Sequence, residues 1–159
     1  MIVFAIDPGP VSSGFVEWNG EQITEFGYDE NRWILSKIYS RKNLHGNPRK
    51  FVCELMNPYT VGKEIELGSR WTGRFWEAAG DMEFIQRSTV CAGLTGDSRA
   101  KKPVVNTALK DRFGKPGSIK NPNYIYGTEG NEKLNVHTWD AFSLAVYYFD
   151  LLKEGSYAS

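Results

Sequence analysis

The chain opens on an unbroken apolar run, Ile2 to Ile6, stopped by Asp7-Pro8-Gly9. A short run rich in β-branched residues and closed by turn formers predicts a buried strand that ends in a sharp turn. Two more extended segments, Gly14 to Trp18 and Gln22 to Tyr28, flank Asn19-Gly20, a dipeptide strongly favoured in tight hairpins. Residues 30–42 then carry Trp33, Ile34, Ile38 and Tyr39 at helical spacing, with acids at the start and bases at the end, as the helix dipole favours. Residues 50–56 (KFVCELM) form a fourth apolar run, closed by Asn57-Pro58. A helix precedes it, so this strand can return parallel to the first.

In residues 63–80, Gly68, Trp71, Thr72, Phe75, Trp76 and Ala79 share one helical face. Residues 83–88 predict a fifth strand, and 103–113 a basic helix with Pro103 near its start and Gly114 after its end. A Gly-, Pro- and Asn-rich connection over 114–135 leads to a final helix, 138–152, striped with Phe142, Ala145, Val146 and Phe149. There is no internal repeat and no linker. An α/β domain with a mixed five-stranded sheet flanked by helices, over residues 1–153 with a loose tail at 154–159, is the economical architecture.

Composition narrows the class. At 159 residues the chain can bury a core without staples, and two cysteines, Cys53 and Cys91, make neither a disulfide framework nor a Cys-rich zinc site. The opening apolar run is too short for a signal peptide or a membrane span, so a cytoplasmic protein is expected. The 19 basic and 19 acidic residues cancel, which argues against a surface that grips nucleic acid everywhere. Their distribution is uneven, however. Residues 1–31 hold acids and no Lys or Arg, residues 32–50 hold bases and no acid, and residues 99–120 hold seven bases against Asp111, a net charge of +6. That last block, with Arg99, Lys101, Lys102, Lys110, Arg112 and Lys115, is a candidate phosphate-binding patch; its ordinary alternative is a solvated helix face.

Four side chains stand where charge is costly unless used. Asp7 ends the first strand. Glu54 is the one charge inside VCELM and shares a strand face with Val52 and Met56. His137 and Asp140, three apart at the start of the last helix, also share a face. Taken singly, a helix-start Asp is usually a cap and a strand Glu is usually paired. Together they form a set of ligand-type groups at the ends of elements.

With those residues, the sequence resembles the RuvC-like Holliday junction resolvases of the ribonuclease H-like fold, including their phage-type members. IDPGPVSSGFVEW resembles the family's first strand and turn, VCELM its strand-borne Glu, and HTWDAFSLAVYY its final helix, in the form with His at the third ligand position. The resemblance implies a metal-dependent endonuclease that resolves four-way DNA junctions by paired nicks. Asp7, Glu54, His137 and Asp140 would be both catalytic residues and ligands of two Mg²⁺ ions, with Mn²⁺ able to substitute, and the basic block would contact DNA. It also implies a homodimer, for which Trp71, Phe75 and Trp76 offer a candidate interface. Zero net charge departs from the family pattern. The alternatives are a related nuclease acting on another nucleic acid, such as an RNA–DNA hybrid, and a non-catalytic DNA- or phosphate-binding module of the same fold.

Overall fold

The computed structural model describes residues 1–57, 59–114 and 134–157. Five strands, β1 (Ile2–Asp7), β2 (Ser12–Trp18), β3 (Ile23–Glu30), β4 (Arg49–Glu54) and β5 (Met82–Ile85), form one mixed sheet in the order β3-β2-β1-β4-β5. β1, β4 and β5 run parallel, whereas β2 and β3 form an antiparallel hairpin on the edge. β1 is central and covered on both faces, which is why its sequence is continuously apolar rather than alternating. At the hairpin turn, the Asn19 side chain accepts bonds from the amides of Glu21 and Gln22 at 2.9 and 2.8 Å, while Gly20 adopts φ +97°. That conformation is the one glycine supplies at least cost.

Helices α1 (Asn31–Lys42) and α2 (Lys63–Ala79) cover one face of the sheet. There Phe4, Ile6, Phe15, Ile34, Ile38, Cys53 and Phe75 are fully or almost fully buried, and Phe4 stacks on Phe15 with centroids 5.5 Å apart. α3 (Arg87–Thr95), α4 (Lys102–Phe113) and α5 (Val136–Tyr157) cover the other, where Val3, Ala5, Val16, Trp18 and Val52 pack against Phe142, Ala145 and Val146 of α5. Among the described residues no helix is long and apolar enough to cross a membrane.

The charge segregation has a structural cause. Acids of the β2–β3 hairpin face bases of α1 and β4: Arg41 Nε lies 2.7 Å from Glu17 Oε1, Lys37 Nζ 2.6 Å from Glu25 Oε1, and Arg41 also bonds Glu25. Arg49 adds a longer contact of 3.5 Å to the nearly buried Glu17.

Several expectations need correction. Arg87 and Ser88 belong to α3 rather than to the fifth strand, because Val90 and Cys91 turn inward at helical spacing. β4 ends at Glu54. Met56 therefore does not share Glu54's face; its Cε stands 2.8 Å from where a Cβ on Gly68 of α2 would lie. α5 begins before residue 138 and continues to Tyr157, so residues 154–157 are helical rather than a loose tail. Phe75 is wholly buried under the sheet and offers no surface to a partner, whereas Trp76, one position on, is more than half exposed. Most of the 114–135 connection and Lys115 lie outside the described residues.

Candidate active site

The parallel register that pairs Ile6 with Cys53 brings Asp7 and Glu54 to neighbouring strand ends. Both project from the face that α5 covers, as the two-residue strand period requires from Ala5 and Val52. The turn after Asp7 is held by buried polar groups. Gly9 N–H donates to Ser13 Oγ (3.1 Å), Ser13 Oγ–H to Asn31 Oδ1 (2.5 Å), and Asn31 Nδ2–H to the Gly9 carbonyl (2.8 Å). Ser13 and Asn31 are shut away from water, so these bonds also remove the cost of leaving their own polar atoms unpaired. Gly9 permits the turn: a Cβ there would lie 2.2 Å from the Ser12 carbonyl oxygen.

α5 supplies the other two side chains. Its start is set by Asn135, whose side-chain oxygen accepts a bond from Thr138 N–H at 2.9 Å, a helix cap that places His137 and Asp140 in the first turn and a half. His137 Nδ1 lies 2.9 Å from Asp7 Oδ2. Its ring also stacks on Tyr28 of β3, with centroids 4.6 Å apart and planes 9° apart. Asp140 is almost fully buried and held by two cations: Arg87 Nη1 at 3.0 Å and the Lys102 ammonium.

Three carboxylates thus converge on one end of the sheet, and two of them, Glu54 and Asp7, titrate above their ordinary values. Glu54 is pushed up to about 7, first by burial and next by the Asp7 charge, with Arg87 pulling the other way. Burial also raises Asp7, against the lowering effect of its bond to His137. Arg87 and Lys102 offset part of the excess negative charge, yet Glu54 stays strained toward its neutral form. As placed, among the described residues, no three His, Cys, Asp or Glu side chains stand close enough to hold a metal ion. In charge and donor type the set nonetheless fits a hard divalent cation: three carboxylates and one imidazole at the ends of strands and a helix, with Glu54 buried beside the Asp7 charge.

The basic candidates separate into groups. Lys102 is drawn inward to Asp140, and Arg112 forms a bidentate pair with Asp150 of α5 at 2.5 and 2.9 Å. Arg112 is thus engaged within its own chain rather than held open toward a phosphate. Lys110 lies over the Trp139 ring at 5.3 Å from the centroid, while Arg99 and Lys101 are solvent-exposed.

The sequence pattern did not single out Arg87, Tyr28 or the Ser13–Asn31 pair. Arg87 was detectable: Val90, Cys91 and Leu94 behind it have helical rather than strand spacing. Tyr28 meets His137 only through strand register, which a bulge between Glu17 and Trp18 shifts.

No family model and no curated protein matches the chain in sequence. Solved structures do match its fold. The Thermus thermophilus RuvC structure aligns with a TM-score of 0.66 at 19% identity, covering 98% of this chain and 97% of that one. T. thermophilus RuvC in complex with a Holliday junction substrate aligns with a TM-score of 0.65 at 17% identity, over 98% and 96% of the two chains. From end to end, this chain has the ribonuclease H-like fold of RuvC, with a five-stranded mixed sheet and helices on both faces.

Proposed function

We propose that this protein is a metal-dependent, structure-selective endonuclease that resolves four-way DNA junctions by paired nicks. The observation that carries the reading is the convergence of Asp7, Glu54, His137 and Asp140 at one end of the sheet, on a fold shared with a RuvC solved on a Holliday junction. Asp7, Glu54, His137 and Asp140 would hold two divalent cations, Mg²⁺ first and Mn²⁺ as a substitute. Bound there, such ions supply an activated water and stabilise the leaving oxygen of a phosphodiester. The chain's own residues provide the rest. The Ser13–Asn31 clamp fixes the turn beside Asp7, and the Asn135 cap aims His137. Arg87 and Lys102 bring positive charge to the place where a phosphate must approach three carboxylates. An open cavity of about 500 Å³ between Glu54, Met56, Tyr59 and Arg87 leaves room for a nucleotide beside the acids. A homodimer suits a junction of nearly two-fold symmetry, and the exposed Trp76, with the half-buried Trp71, supplies aromatic surface for it.

Competition between substrates tests the reading. With Mg²⁺ present, an unlabelled four-way junction should suppress nicking of a labelled junction at less than about one-tenth the concentration needed of an RNA–DNA hybrid duplex, a preference of about 1.4 kcal/mol or more. Equal competition would favour a ribonuclease H-like activity. Binding without nicking, in Mg²⁺ and in Mn²⁺ alike, would favour a non-catalytic module.

The basic patch makes a separate expectation. Lys101 and Lys110 are exposed at the start and along the length of α4, so Lys101→Gln with Lys110→Gln should weaken junction binding. The slope of log K against log salt should fall by about one for each phosphate that is no longer neutralised. An unchanged slope in a filter-binding titration would assign both lysines to solvent.

A further inference from the structure

Asp7, Gly14 and Tyr28 form one row across three strands: the register pairs Asp7 with Gly14 and Gly14 with Tyr28. Directly opposed residues in antiparallel strands project from the same face. The middle position of the row has no side chain, and α5 uses the gap. A Cβ on Gly14 would lie 2.6 Å from the His137 carbonyl oxygen and 2.9 Å from the His137 Cβ, closer than atoms pack. His137 is therefore seated on β2, and its imidazole has a neighbour on either side. Nδ1 lies 2.9 Å from Asp7, and the ring face lies flat against Tyr28, 4.6 Å between centroids at 9°.

We propose that Tyr28 is a positioning residue of the active site: its ring fixes the plane of the His137 imidazole so that the nitrogen facing Asp7 is held toward the carboxylate cluster. The His137 side chain is half exposed. Without a flat surface behind it, a histidine in a first helical turn would sample several rotamers, and ordering it would oppose ligand binding. The hydrogen bond to Asp7 restrains one atom, whereas the stack restrains the plane. The role belongs to the π face and not to the hydroxyl, so phenylalanine should replace tyrosine. This inference rests on the reading of His137 as a metal ligand.

The test is a calorimetric Mn²⁺ titration of the full chain without DNA. The variants are Tyr28→Phe, Tyr28→Ala and Tyr28→Val, the last two also combined with His137→Ala. Tyr28 is nearly half exposed on an edge strand, and valine preserves strand preference, so a folded variant is secured. Tyr28→Phe should bind as wild type does. Tyr28→Ala and Tyr28→Val should each bind about tenfold more weakly, the size of effect that groups orienting a ligand have. Added to His137→Ala, neither should weaken binding further. Wild-type affinity in Tyr28→Val overturns the proposal, as does a Tyr28→Phe as weak as Tyr28→Ala, or a tenfold loss that persists without His137. If His137→Ala itself binds Mn²⁺ as wild type does, His137 as a ligand falls, and the role of Tyr28 with it. A loss in His137→Ala with none at Tyr28 overturns the Tyr28 role alone.

Discussion

Asp7→Asn and Glu54→Gln should each lower junction nicking in Mg²⁺ by about 10³-fold or more while leaving junction affinity within a few-fold of wild type. A bound divalent ion at a phosphodiester contributes several kcal/mol of transition-state stabilisation, and about 4 kcal/mol corresponds to 10³ in rate. Each substitution removes a negative donor and changes the side-chain volume very little. Affinity should survive because it rests on phosphate contacts made by bases elsewhere. Folding should survive too. Asp7 lies on a turn held by Ser13, Asn31 and Gly9, and none of those bonds uses its carboxylate. Its bond to His137 reaches a half-exposed imidazole, which water can solvate in its place. Single-turnover nicking on a labelled junction, with binding measured separately in EDTA, checks both halves. Either variant nicking at close to the wild-type rate would remove these carboxylates from the reaction.

The elements that hold these carboxylates were legible wherever a local pattern decides the structure. Ile2 to Ile6, short, rich in β-branched residues and closed by Asp7-Pro8-Gly9, reads as a buried strand, and Asn19-Gly20 between extended neighbours reads as a hairpin. Glu54 stood out because a lone charge in an apolar strand must be accounted for, and its shifted titration is that account in physical form. What was not legible depends on partners distant in sequence. The block at 99–120 has a net charge of +6, yet Lys102 and Arg112 meet Asp140 and Asp150, each 38 residues further on. The acids of 1–31 and the bases of 32–50 look like separate surfaces along the chain, but several of them join in a single network of ion pairs. Arg87 stands where two local patterns meet, the strand run Met82 to Ile85 before it and the helical spacing of Val90, Cys91 and Leu94 after it, and the first masks the second. Helical spacing groups Phe75 and Trp76 on one face of α2, but it does not say that Phe75 is wholly buried while Trp76, edge-on to Phe84 of β5, stays more than half exposed.

Glu54→Gln should also make the metal-free protein more stable at pH 8, even as it abolishes the chemistry. The Glu54 carboxyl has its folded value pushed up to about 7, from 4.5 for an unperturbed side chain, with burial as the first cause and the Asp7 charge as the second. Below pH 4.5 the group is protonated folded or unfolded and costs nothing. Between pH 4.5 and about 7 the folded chain keeps a proton that the unfolded chain has released. Stability therefore falls as pH rises, by up to about 1.4 kcal/mol per pH unit. Above about pH 7 the loss is complete, at about 3 kcal/mol. Glutamine carries no charge to desolvate, so the variant should lack this slope. Its melting temperature should match wild type near pH 4 and exceed it by about 5 °C or more at pH 8. Excess Mg²⁺ should narrow the gap from the wild-type side, because an ion that binds the folded state and uses the Glu54 charge stabilises wild type more than the variant. Thermal melts at pH 4, 6 and 8, with EDTA and then with Mg²⁺, read all three expectations. A variant no more stable than wild type at pH 8, or more stable by the same margin at pH 4, would show that Glu54 is not a strained carboxylate waiting for a cation.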